Sequence, residues 1–194
     1  DKYGILVGKQ RSELALTDIY GFFPHDVHFV WNKRAAVHIK KTHSKTRNAI
    51  VVGHLHDRTF RDAEKVGGKL RAELEDSGAH FVLALFDNTH SYDTRISPRM
   101  VEAFYRKFLN WLLEDDSLGL LIKSKKSKVI GTLPQIHTLF SEAEKTGRCI
   151  RLTNEFSRLP TEAATGADIA VGVSISTPII ESALAGCRGI HWDA

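Results

Sequence analysis

From residue 48 to residue 192 the chain alternates short apolar runs with amphipathic stretches, and Gly, Pro, Ser or Asp separates each from the next. Such alternation predicts repeated βαβ units, with strands laid parallel in one sheet and helices on its faces. Asn48–Leu55 reads as the first strand, and Asp57 as the cap of a helix that points Phe60, Ala63, Leu70 and Leu74 inward until Gly78. The pair Gly67-Gly68 inside that helix works against it. His80–Phe86 is nearly all apolar, the mark of a strand covered on both faces. Ser97 and Pro98 then open a helix with Val101, Phe104, Tyr105, Phe108 and Leu112 on one side. Leu118–Lys123 is a strand, and Thr132 with Gln135 has capping-box spacing before a helix ending at Gly147. Shorter pieces follow: strand Arg148–Thr153, helix Pro160–Thr165, strand Asp168–Ser174, helix Thr177–Ala185 capped by Ser176, and strand Arg188–Trp192. Six strands and five helices in this order predict a doubly wound, Rossmann-like parallel sheet with right-handed crossovers.

Residues 1–47 do not share the rhythm. They offer a short strand at Gly4–Val7, a helix from Ser12 to Tyr20, an aromatic segment around Phe22–Trp31 and a basic linker from Asn32 to Arg47. The expected division is therefore 1–47, the remnant of a preceding domain or a packing extension, and 48–194, the α/β domain. With 194 residues, 42% hydrophobic and 26% charged, one substantial core fits, and disordered or collagenous classes are excluded. No apolar stretch is long enough to span a membrane. Cys149 and Cys187 are too few for a disulfide scaffold, which points to a cytoplasmic setting. The net charge of +4 lacks a basic stripe with interleaved aromatics, so no nucleic-acid partner is expected, while small anionic ligands and an acidic membrane surface stay open.

In an open α/β sheet the ligand lies outside the carboxyl ends of the strands, so the loops after strands hold the candidates. The run from Ser174 to Gly186 is the most informative. Free amides, three hydroxyls (Ser174, Ser176, Thr177) and the positive end of a helix dipole suit a phosphate or diphosphate. Glu181, one turn in, could accept hydrogen bonds from a vicinal diol such as ribose, or merely complement the dipole as a solvated acid.

A strand, S-x-S-T, a Glu and a small-residue helix ending in Gly together resemble the C-terminal half of GT-B glycosyltransferases, in particular those of bacterial surface and capsular polysaccharide biosynthesis. The stretch Leu152–Ala167 before "GADIAVGVS" is similar to their base-contacting loop, and "FFPHDVHFVWN" with "NAIVVGHLHD" is similar to their interdomain segment. The resemblance implies a domain that binds a nucleotide-sugar donor: base near Asn154, ribose on Glu181, phosphates on Ser174, Ser176, Thr177 and Lys123, with Asn88 and Thr89 near the phosphates and sugar. It implies leaving-group stabilisation without a required metal or other cofactor. The acceptor would be a surface polysaccharide or glycolipid. The general base would come from an absent half, so no catalytic residue is assigned; peripheral membrane association would belong to the full-length protein.

Other readings come from other residues. His54 and His56 project to one side of a strand end, and Asp57 or Asp87 could complete a metal-dependent hydrolase site. A sugar-nucleotide epimerase-like or noncatalytic Rossmann-like module is also compatible. Lys125, Lys126 and Lys128 read as a solvated loop, and His90 as a loop histidine able to serve as acid or base. No G-x-S-x-G, P-loop or G-x-G-x-x-G motif is present.

Overall fold

A computed structural model describes residues 4–10, 23–42, 44–54, 57–91, 95–125, 128–152, 159–174 and 176–193. The chain divides into two compact units, Asp1–Arg58 and Thr59–Ala194.

The smaller unit holds a three-stranded parallel sheet in the order β1 (Val7–Lys9), β2 (Val27–Val30), β3 (Asn48–Val51). Between β2 and β3 lies helix α1, Lys33–Lys41. The side chain of Asn32 caps it, Oδ1 accepting the Ala35 N–H at 2.9 Å, and Ala35 and Ile39 pack on Val30. The segment expected to be a basic linker is thus a helix, because Ala35, Ala36 and Ile39 supply an apolar stripe that the lysines around them obscure. The aromatic segment contains β2, and the strand expected at Gly4–Val7 begins at Val7. The helix expected at Ser12–Tyr20 lies outside the described residues.

The larger unit is a five-stranded parallel sheet with strand order β6 (Cys149–Arg151), β5 (Leu118–Lys123), β4 (Phe81–Phe86), β7 (Ile169–Val173), β8 (Arg188–Trp192). Six strands were expected; the first of them, β3, pairs with β2 in the other unit, register Val27↔Asn48 to Val30↔Val51. Its apolar run identifies a strand but not its sheet, since pairing partners lie far away in sequence. The two units accordingly meet after Arg58 rather than after Arg47.

Helices cover both faces, which is why the central strands are apolar throughout. On one face α3 (Pro98–Glu114) and α5 (His137–Lys145) bury Val101, Phe104, Tyr105, Phe108, Leu112 and Phe140 against Leu83, Leu85, Leu118, Leu120 and Ile122. On the other, α2 (Phe60–Asp76), α6 (Pro160–Thr165) and α7 (Thr177–Leu184) bury Leu70, Leu74, Ala163, Ala164 and Ile179 against Val82, Ala84, Phe86 and Leu121. Each fully buried Leu or Phe contributes about 1.5–3 kcal/mol of hydrophobic free energy.

Local signals behave unevenly. Ser97 caps α3 as expected, accepting the Met100 N–H at 3.3 Å. Thr132 does not open α5: a short helix α4 (Lys128–Gly131) and a 3-10 turn at Pro134–Ile136 precede it, and the Thr132 hydroxyl meets His90 Nε2 at 3.1 Å instead. Asp57 starts a 3-10 turn rather than capping α2. Gly67-Gly68 does not break α2; Gly67 is where α2 meets α6, and a Cβ there would lie 2.6 Å from the Gly166 nitrogen.

Candidate functional site

Strand order in the larger unit reverses between β4 and β7. The chain leaves β4 for α3 on one face and leaves β7 for α7 on the other, so the crevice between these two carboxyl ends is uncovered by either connection. Register places Lys123 opposite Phe86, Phe86 opposite Gly172, and Gly172 opposite His191. The carboxyl ends of β5, β4, β7 and β8 are therefore flush, with neighbours about 4.8 Å apart. Asn88, Thr89, Lys123, Ser174, Ser176 and Thr177 all stand at this edge. Asn154 lies outside the described residues.

Helix α7 is drawn close to the sheet by two glycines. A Cβ on Gly172 would come 2.6 Å from Ile179 Cγ1 and 3.1 Å from Ser176 Oγ, and one on Gly189 would come 2.7 Å from Ile179 Cγ2. Between β7 and α7, Ser174 adopts a left-handed conformation, φ 58°. Non-glycine residues hold such a backbone only where the surroundings enforce it, and such strain gathers at ligand sites. Here the Ser174 N–H donates to the Trp192 carbonyl at 3.0 Å, and the Ser174 carbonyl accepts from His191 Nδ1 at 3.0 Å. A carbonyl only accepts, so His191 carries its proton on Nδ1.

Ser176 occupies the N-cap position of α7, but its side chain makes no capping bond. The hydroxyl is buried, the residue 6% exposed, and its oxygen meets no hydrogen-bond partner among the described residues. An unmet buried hydroxyl costs roughly 1–3 kcal/mol. At a helix N-terminus it stands at the positive end of the dipole. The free amides expected there are fewer than the sequence suggested, since Pro178 carries no N–H and the Ile179 N–H donates to the Ser176 carbonyl at 3.2 Å. Thr177 and Glu181 are half-buried on the same helix.

The other wall of the crevice carries a polar network around Asp87, which the sequence reading weighed only as a metal ligand and did not connect to Tyr105 or Ser124. Asp87 directly follows β4 and is 3% exposed. Its Oδ2 accepts the Tyr105 hydroxyl at 2.8 Å and the Ser124 hydroxyl at 2.7 Å, and its Oδ1 accepts the Lys125 N–H at 2.6 Å. Burial pushes the carboxyl above its ordinary range, and the three donors oppose that rise. Burial, together with this carboxyl, also drives the Tyr105 phenol well above its usual value. Tyr105 reads in sequence as one more core aromatic on α3. The available signal was an aspartate placed immediately after the most apolar strand, where an isolated charge is too costly to leave unpaired.

Outside this network, Asn88 Oδ1 accepts the neighbouring Thr89 N–H at 2.9 Å and Lys125 Nζ at 2.7 Å, the latter joining the loops after β4 and β5 as the bonds of Ser124 and the Lys125 N–H to Asp87 also do. Lys123 is buried, and its ammonium donates to the Ser124 carbonyl at 3.0 Å. By strand alternation it faces the side of α2, α6 and α7, opposite to Asp87. Among the described residues no group of three or more His, Cys, Asp or Glu could hold a metal. His54 packs edge-on against Trp31, ring centroids 4.6 Å apart, and His56 lies outside the described residues. No helix among the described residues is long and apolar enough to cross a membrane. Comparison with known proteins finds no matching family model and no matching curated protein.

Proposed function

We propose that the larger unit is the donor-binding domain of a GT-B-type glycosyltransferase, holding the diphosphate of a nucleotide-sugar over the start of α7. The observation that carries this reading is the buried, unpartnered Ser176 hydroxyl at the N-cap of a helix beside the switch point of the sheet. A phosphate oxygen would give that hydroxyl an acceptor and would lie at the positive end of the α7 dipole. Thr177 adds a second hydroxyl there, and Ser174, with its left-handed backbone, follows β7 just before both. Glu181, one turn further on, is the group for the ribose diol. The base then falls to the segment holding Asn154.

Chemically, the unit's share of the reaction is to stabilise the nucleoside diphosphate as the glycosidic bond breaks. The helix terminus and the loop cations meet the negative charge that develops on the leaving group, and pre-organised donors act at full strength in such a site. Asn88, held by Lys125, and Thr89, whose N–H it accepts, are the groups on the opposite lip for the phosphates or the sugar. The acceptor, a polysaccharide or glycolipid, and the base that deprotonates it belong to another part of the enzyme, working on the cytoplasmic side.

Calorimetric titration with UDP-, GDP-, CDP- and CMP-linked sugars tests the reading. One of these should bind, Ser176→Ala should weaken it about tenfold, in keeping with the loss of a charge-assisted hydrogen bond, and Glu181→Ala should weaken it by a similar factor. Absence of binding to the whole panel at millimolar concentration would refute the proposal.

A further inference from the structure

The smaller unit carries a surface that the donor site does not use. Between Asp26 and Asp57 the sequence contains no acidic residue, while Lys33, Arg34, Lys40, Lys41, Lys45 and Arg47 all fall in that stretch. Four of these cations lie on α1. At 3.6 residues per turn, positions 33, 34, 37, 40 and 41 occupy about 120° of arc. Lys33 and Lys40 flank one side of that arc and Arg34 and Lys41 the other, with Val37, 50% exposed, in the middle. The opposite side of the helix is the one packed down through Ala35 and Ile39. All four cations are exposed, and none forms an ion pair with a described residue. Four uncompensated charges set around an exposed aliphatic side chain repel one another, and an apposed anionic surface relieves that repulsion.

We propose that this face of α1 docks on an anionic phospholipid bilayer. Charge complementarity selects an anionic surface, and the centre of the face selects lipid over nucleic acid. Val37 offers no ring on which a base could stack and no amide to read a base edge, whereas an aliphatic group ringed by lysines fits the boundary between headgroups and acyl chains. The lysine and arginine stems are long enough to keep their charges at headgroup level while Val37 enters that boundary. The inference rests on α1 alone and stands or falls independently of the donor site.

Sedimentation with vesicles of phosphatidylcholine mixed with phosphatidylglycerol, against vesicles of pure phosphatidylcholine, tests it on the full chain. Binding to the anionic vesicles only is expected, with release at about 0.5 M salt as screening shortens to a few ångströms. Each Lys or Arg removed should lower partitioning about fivefold. Arg34→Gln with Lys41→Gln should therefore cost roughly 25-fold, and replacing all four by Gln should abolish binding. Val37→Leu should strengthen it, and Val37→Asp should weaken it beyond a single charge change. All these positions are exposed, and circular dichroism confirms that each variant is folded. Equal binding to neutral vesicles, undiminished binding by the double variant, or retention on a DNA duplex without retention on anionic vesicles would overturn the assignment.

Discussion

The adjacent glycines of α2 provide a sharp test of the packing in the larger unit, because one substitution made at two neighbouring positions should change stability in opposite directions. At Gly68 a new Cβ meets nothing within 4 Å. Gly68→Ala should therefore show only the gain in helix propensity, about 1 kcal/mol. At Gly67 the same Cβ would sit 2.6 Å from the Gly166 nitrogen and 2.8 Å from the Glu162 carbonyl, and would run into Thr165 Oγ1. That hydroxyl donates to the Ala63 carbonyl at 2.9 Å, a bond from α6 to α2. Relieving the overlap forces the helices apart at a cost of about 1–3 kcal/mol, and the lost hydrogen bond adds about 1 kcal/mol. Set against the propensity gain of about 1 kcal/mol, Gly67→Ala should destabilise by roughly 1–3 kcal/mol. The two variants should thus differ by about 2–4 kcal/mol, or on the order of 10 °C in Tm for a unit of this size. Urea unfolding followed by far-UV circular dichroism measures both, reading the transition of the larger unit. If Gly67→Ala proves as stabilising as Gly68→Ala, the close crossing of α2 and α6 is wrong, and so is the account of why a glycine pair survives inside a helix.

Three further outcomes follow from buried polar groups. Asp87→Ala removes the acceptor of the Lys125 N–H and of one hydroxyl, the other being able to donate across the 3.2 Å Tyr105–Ser124 contact, and should cost about 2–4 kcal/mol, whereas Asp87→Asn can keep Oδ1 on the Lys125 amide while both hydroxyls turn to accept, and should cost under about 1.5 kcal/mol. Because the folded-state pKa of Asp87 is raised, its contribution to stability is full below the unfolded value of about 3.9 and is lost as pH rises through the folded value. Relative to Asp87→Asn, wild type should therefore lose stability on going from pH 4 upward; parallel curves would refute the assignment. Arg148 is buried and donates through Nη1 to the carbonyls of Leu112, Asp115 and Leu118 at 3.1, 2.8 and 2.9 Å, closing the carboxyl end of α3. Arg148→Met should cost about 2–4 kcal/mol in chemical denaturation, while Asp116→Ala, which removes only a fully exposed partner of that guanidinium, should cost under about 0.5 kcal/mol. Burial pushes the Cys149 thiol up to about 12 and raises that of Cys187, so neither should react with iodoacetamide at neutral pH until the protein is unfolded; rapid labelling of the native protein would contradict their burial.

Elements specified by nearby residues were legible before any coordinates. The start of α3 is an example: Ser97 and Pro98 satisfy or remove the amides that a helix start leaves open, and the inner stripe from Val101 to Leu112 repeats with the helix period. The strands β4 and β5 and the loop-to-helix sequence from Ser174 onward are equally local, and the candidate residues they carry do stand at the carboxyl edge of one sheet. Thr132 shows the limit of such reading. Its spacing to Gln135 satisfies the capping pattern, yet its hydroxyl meets His90, forty-two residues away in sequence, and no local rule includes that competitor.

What the amino-acid order determined by itself is the list of parts: alternating strands and amphipathic helices, their caps, and a hydroxyl-rich turn ahead of a small-residue helix. Tertiary structure decided how those parts combine. It assigned β3 to the smaller sheet, turned a run of lysines into the outer face of α1, placed two glycines so that α7 could approach β7, and brought Asp87, Tyr105 and Ser124 into hydrogen-bond contact. The reason is physical. Helix and strand periodicity and capping act over a few residues and are written in the order of the chain, whereas sheet pairing and the satisfaction of buried polar groups depend on atoms that become neighbours only when distant segments pack.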